Sequence, residues 1–167
     1  MEAECYQKIG KINEKLGDLD KAIEFLNKFL TLVEETKFKQ RHGGETKEEF
    51  EKKKMAKQGE AHRQLAEVHS KNGNTEAAIK HLEDLLNIAS GEKNKQAQAN
   101  AFLKLGLLYY QGGFVRKSVD CLQRHFELAR ADTDENKIQK LIDRARVNLG
   151  IAQANTVIEN YKYLVLN

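Results

Sequence analysis

The sequence predicts an all-α protein built from antiparallel helix pairs, and three observations carry that prediction. No proline occurs in 167 residues, which suits long uninterrupted helices because proline breaks a helix interior. Apolar residues recur three and four positions apart, the spacing of one helix face. A unit of apolar-periodic helix, glycine turn and second apolar-periodic helix occurs three times. Composition agrees: 40% apolar, 32% charged and 7% aromatic residues give a lean core, unlike that of a disordered chain.

The first unit covers about 3–36. Its opening helix runs through Tyr6, Ile9 and Gly10 to Gly17, and its second carries Ala22, Ile23, Leu26 and Phe29. A charged insertion follows at 37–58, with a loop expected at Arg41–Gly44. Thr46 with Glu49 three residues on reads as a capping box. The next helix is therefore expected to start near Thr46, run to about Lys71 and project beyond its neighbours. The second unit, about 59–92, carries His62, Leu65, Ala66 and Gly73, then Ala78, Ile79, Leu82 and Leu85. The third, about 99–132, carries Phe102, Leu105, Gly106 and Gly113, then Ser118, Val119, Leu122 and Phe126. A partial fourth begins near 143, with Val147, Leu149 and Gly150. Extra segments lie at 91–99 and 132–140.

Each small residue has a physical role. Gly10, Ala66, Gly106 and Gly150 follow Ile9, Leu65, Leu105 and Leu149, where a small side chain lets the partner helix approach. Gly17, Gly73 and Gly113 permit the left-handed backbone that ends a helix. Asp18 and Asn74 are placed to cap the helices that follow. The whole, 1–167, is expected to form a single domain. The closing run Tyr161–Asn167 is apolar and lacks the polar face that a terminal cap needs. A fragment of a longer array is expected, with self-association through that uncapped helix.

Several classes are excluded. Lys and Arg exceed Asp and Glu by 28 − 25 = 3, too balanced for a dedicated nucleic-acid binder. Between Lys37 and Lys57, eight basic residues face four acidic ones, which reads as a solvated helix face. No apolar stretch is long enough to cross a membrane, and no secretory leader is apparent. A soluble, cytoplasmic protein is expected. Cys5 and Cys121 read as buried structural thiols rather than nucleophiles. Nucleotide-binding glycine motifs are absent. His62, His69 and His81 read as packing or surface residues, so neither metal nor cofactor is expected. No serine or cysteine has a recognisable base, so the chain is not expected to be an enzyme.

The repeated pattern resembles the tetratricopeptide repeat family, whose unit of about 34 residues places a bulky residue, Leu-Gly, Tyr, Ala and Phe at fixed positions. Departures are plain. The tyrosine of the first helix is Asn13 in repeat one and His69 in repeat two, and only Tyr109 matches; the terminal proline is missing throughout. Spacings of 56, 40 and 44 residues separate Gly10, Ala66, Gly106 and Gly150. They are similar to a long-unit subgroup of about 40 residues per repeat.

The resemblance implies a right-handed superhelical array, a tetratricopeptide-like α-solenoid whose first helices line a concave groove. It implies an adaptor or scaffold that takes a partner helix or peptide there. Carried over by register, the apolar anchors are Leu103, Leu107, Tyr110, Val147 and Ile151. Arg63 and Lys71 would orient acidic groups, with Lys104 and Arg144 in lesser roles. The carboxylate clamp of the chaperone-binding members is not matched, because its five places hold Gln7, Lys11, Gln64, Asn100 and Lys104. A structural-assembly module is the alternative function. The stretch Arg146–Asn155 is similar to late repeats of ciliary and axonemal members, which implies a ciliary or cytoskeletal location.

Overall fold

The computed structural model describes residues 2–38, 46–130 and 135–166, with side chains described throughout except at 135–142, 144, 145, 159 and 166. Among these residues there are helices and turns and no strands. The helices are α1 (Glu2–Leu16), α2 (Leu19–Glu35), α3 (Lys47–Lys71), α4 (Thr75–Gly91), α5 (Lys95–Gln111), α6 (Val115–Arg130) and α7 (Glu135–Leu166). The all-α class is the one expected. The loop expected at Arg41–Gly44 and the start of the 132–140 segment lie outside the described residues.

Helix boundaries follow local chemistry. Asp18 caps α2 by accepting a bond from the Lys21 backbone N–H at 3.3 Å, and Asn94 caps α5 through Ala97 at 3.1 Å. Thr46 and Glu49 form the full capping box, with reciprocal bonds of 3.2 and 3.0 Å, so α3 starts where its sequence says. Gly17, Gly73 and Gly113 have φ of +83°, +77° and +78°, the left-handed region in which a Cβ is unfavourable. The α4–α5 turn uses the same geometry with Lys93 at φ +54°. In all four turns a backbone N–H reaches back five residues: Asp18 to Asn13, Asn74 to His69, Asn94 to Ala89 and Phe114 to Tyr109, at 2.8–3.0 Å.

Two compact units result, Met1–Ile88 and Ala89–Asn167. In the first, α2 packs between α1 and α3. Ala22, Leu26, Leu65 and Val68 form one buried cluster, and Phe29, Val33 and Ala61 a second. Gly59 of α3 lies against Leu85 and Ile88 of α4. In the second unit α6 packs on α5 and α7 packs on α6. Leu105, Leu108, Leu122, Ala129 and Ala152 are buried there. Ser118 donates its hydroxyl to the Gly106 carbonyl at 2.8 Å, and the buried His125 donates through Nδ1 to the Ala99 carbonyl at 2.8 Å.

Two expectations are corrected. The start of α3 does not stand clear of its neighbours: Phe50 meets Phe38 with ring centroids 5.5 Å apart. Lys54 donates to the carbonyls of Glu34 and Thr36 at 2.7 and 3.0 Å, a cation closing the C-terminal end of α2. Cys5 is exposed and Cys121 half-buried. On α1, Cys5 shares a face with the exposed Ile12 and Leu16, while the opposite side meets α2.

The close approach of paired helices is directly testable. A Cβ at Gly106 would fall 2.7 Å from Leu122 Cγ, whereas nothing lies within 4 Å of one at Gly150, so the close helix approach expected there is not made. Gly106→Ala is expected to lower stability by about 1–2 kcal/mol, overpacking outweighing the helix-propensity gain. Gly150→Ala should raise it by about 0.5–1 kcal/mol. Lys93→Gly should also stabilise, by up to about 1 kcal/mol, by relieving the left-handed turn. Urea denaturation of the three variants beside the wild type measures all three.

Candidate functional site

The residues expected to face a partner divide by unit. In the first unit, α1 and α3 meet through ion pairs: Glu4 with Lys57 at 3.2 Å, Lys11 with Glu60 at 3.5 Å and Glu14 with Lys71 at 2.6 Å. Arg63 grips both carboxylate oxygens of Glu60 at 2.8 Å and reaches Glu67 at 3.4 Å. The Gln64 amide also donates to Glu60. The Arg63 guanidinium is the main reason that the Glu60 carboxyl sits at about 2, against an ordinary 4.5. Bonding to Glu14 raises the Lys71 ammonium. Arg63 and Lys71 are thus already engaged by acids of their own chain. The pairing follows from which side chains α1 and α3 set opposite each other, which the register of one repeat does not reveal.

In the second unit the corresponding surface is apolar. On α5, Leu107 is 41% exposed and Tyr110 37%, one helical turn apart, with Leu103 half-buried beside them. On α7, Val147 is 59% exposed and Ile151 50%. The Asn155 amide donates to the Tyr110 hydroxyl, which sets the α7 stripe beside the α5 stripe. Five expected anchors therefore lie on two adjoining helices of one unit. Lys104 is half-buried; the Arg144 side chain lies outside the described residues. Further along α7, Val157, Ile158, Tyr161, Tyr163, Leu164 and Val165 are all exposed.

Two other features escaped the sequence. A cavity of about 420 Å³ in the first unit is lined by Ala3, Val33, Phe50 and Ala56 together with Lys53, Lys54 and Lys57. Between α3 and α4 the structure brings together three histidines and an aspartate. His62 Nδ1 and His81 Nδ1 are 3.1 Å apart, and His62 Nδ1 is 3.7 Å from Asp84 Oδ2. The His69 ring stacks on that of His81 at 5.4 Å. Burial lowers His62 and His69 and is the largest cause holding His81 at about 4. The seven-residue spacing of His62 and His69 was the only sequence signal; partners on α4 depend on how the helices pack.

Residues 3–34 and 58–137 each match the tetratricopeptide repeat family. The chain belongs to that family. Its tetratricopeptide repeats are 28% identical over 106 residues to human tetratricopeptide repeat protein 29, an overlap of 62% of this chain and 22% of that protein. The chain thus spans about a fifth of the length of the curated relative that it matches. Among solved structures, the apo form of RapI is 13% identical with a TM-score of 0.72, over 98% of this chain and 52% of that one. The TPR2AB domain of yeast Sti1 in complex with pHSP90 is 20% identical with a TM-score of 0.59, over 92% and 50%. These likenesses establish the fold. Domains of this family bind protein or peptide partners and are generally non-enzymatic. Among the described residues no helix is long and apolar enough to cross a membrane.

The lowered Glu60 carboxyl fixes a pH window. Because it is depressed in the folded chain, its contribution is fully present above about pH 4.5 and is lost as pH falls through about 2. Thermal melts between pH 5 and 2 are expected to show a steeper loss for the wild type than for Arg63→Ala, which abolishes the main cause of the shift.

Proposed function

We propose that the chain is a non-enzymatic adaptor that holds a partner helix or peptide against the apolar stripes of α5 and α7. The observation that carries this reading is the row Leu107, Tyr110, Val147 and Ile151, each more than a third exposed and set on adjoining helices. Exposed apolar side chains grouped in this way mark a contact surface, and helical spacing on both elements suits a partner helix. Leu103, Leu107, Tyr110, Val147 and Ile151 are the anchors. Arg63 and Lys71 have a secondary role, exchanging Glu60 and Glu14 for acids of the partner. Spacings of 40 and 44 residues between equivalent small residues favour the long-unit form of the repeat, and a cytoplasmic location fits the reading.

The second reading is an assembly module of a larger complex, in a ciliary or cytoskeletal setting. It draws support from the exposed apolar residues between Val157 and Val165 on α7, which would pair with another subunit or a second copy.

Leu107→Glu combined with Ile151→Glu separates the two. Both side chains are about half exposed, so helicity by circular dichroism should be unchanged. Affinity capture is expected to lose the wild-type partners from this variant by at least about tenfold. A control Arg116→Glu on α6 should retain them. Equal recovery by all three proteins would overturn the groove reading. Loss only on Tyr161→Lys/Leu164→Lys would favour assembly through the end of α7.

A further inference from the structure

We propose that His62, His81 and Asp84 form a zinc(II) site joining α3 to α4. One ligand atom from each lies within 4.8 Å of the other two. Zinc binds imidazole nitrogen at about 2.0–2.1 Å and carboxylate oxygen at about 2.0–2.2 Å, which puts tetrahedral ligands about 3.3 Å apart. The His62–His81 separation of 3.1 Å and the His62–Asp84 separation of 3.7 Å bracket that value. The remaining pair, His81 and Asp84, lies within 4.8 Å, so an ion fits once those two side chains on α4 close by up to about 1.5 Å.

The elements aim these donors at one another. His81 and Asp84 are three apart on α4 and project from one face, while His62 comes from α3 and is buried. Two imidazole Nδ1 atoms in contact need either one shared hydrogen or one shared cation. A shared hydrogen engages the two rings alone; a cation engages Asp84 as well. Two imidazoles and one carboxylate suit zinc among the available divalent metals. Asp84, and Glu34 on α2, favour positive charge at His62, with Lys80 acting against it at His81. The stacked His69 ring supports His81 from the side, and its buried Nδ1 has no hydrogen-bond partner. With three protein ligands, the fourth position falls to water or to a reoriented His69.

The test uses the full chain stripped with chelator. Zinc titrated at pH 7.5 by calorimetry is expected to bind one to one. It should raise the melting temperature by about 5 °C at a hundredfold excess over Kd. Cobalt(II) in its place should give the visible absorption of a four-coordinate site. His81→Gln and Asp84→Asn should each weaken binding by more than about tenfold. Asp84 is partly exposed, so Asp84→Asn should remain folded by circular dichroism and keeps the result readable if His81→Gln does not. Absence of saturable binding at micromolar zinc overturns the site. So does binding undiminished in Asp84→Asn, which would mean that other groups hold the ion.

Discussion

Everything in this structure depends on how closely two helices of a pair can approach. At Gly10 the space that a side chain would occupy is taken by Leu26, and at Gly106 by Leu122. The same leucines are almost fully buried. One missing Cβ on the first helix thus creates the socket for a buried leucine on the second. In the third repeat, Ser118 adds a hydroxyl bond to the Gly106 carbonyl, which ties the pair at its crossing. Once the crossing is set, the other faces of the first helix are free to take on different chemistry without disturbing the pair.

The two units use that freedom differently. The first spends its α1 and α3 faces on ion pairs between helices. Such pairs contribute little individually when exposed, and within α3 Arg63 holds Glu60 in the same network. The second leaves leucine, tyrosine, valine and isoleucine facing outward, with a polar link from Asn155 to Tyr110. Recognition by apolar contact suits this surface better than recognition by charge, in line with a family whose domains bind proteins and peptides.

Much of the fold was legible in residue order because its causes are local. The capping box at Thr46 and the glycine turns after α1, α3 and α5 each depend on neighbours within a few positions, and Gly10 and Gly106 are marked as crossing residues by their recurrence in the repeat. What escaped depends on packing. The period of α1 could not say that Cys5 would share an exposed face with Ile12 and Leu16. Nor could charge counting show that Lys54 would cap α2, or that Arg63 and Lys71 would find acids within the chain. His62 and His81 are nineteen residues apart, and only the crossing of α3 over α4 makes them neighbours. Leu107, Tyr110, Val147 and Ile151 are exposed; the helical period groups such residues on one face, but which face meets solvent is decided by packing, as at Cys5.

The four turns share one backbone hydrogen-bond pattern, although three are closed by glycine and one by Lys93. Locally, the junction between two repeats is therefore the same object as the hinge inside one. At the level of the turn backbone the chain has no intrinsic punctuation. A gene segment copied or removed between any two equivalent turns would rejoin with compatible geometry at both cut ends. An array of this kind can change length in steps of a single hairpin, in either reading frame, without inventing a new connection.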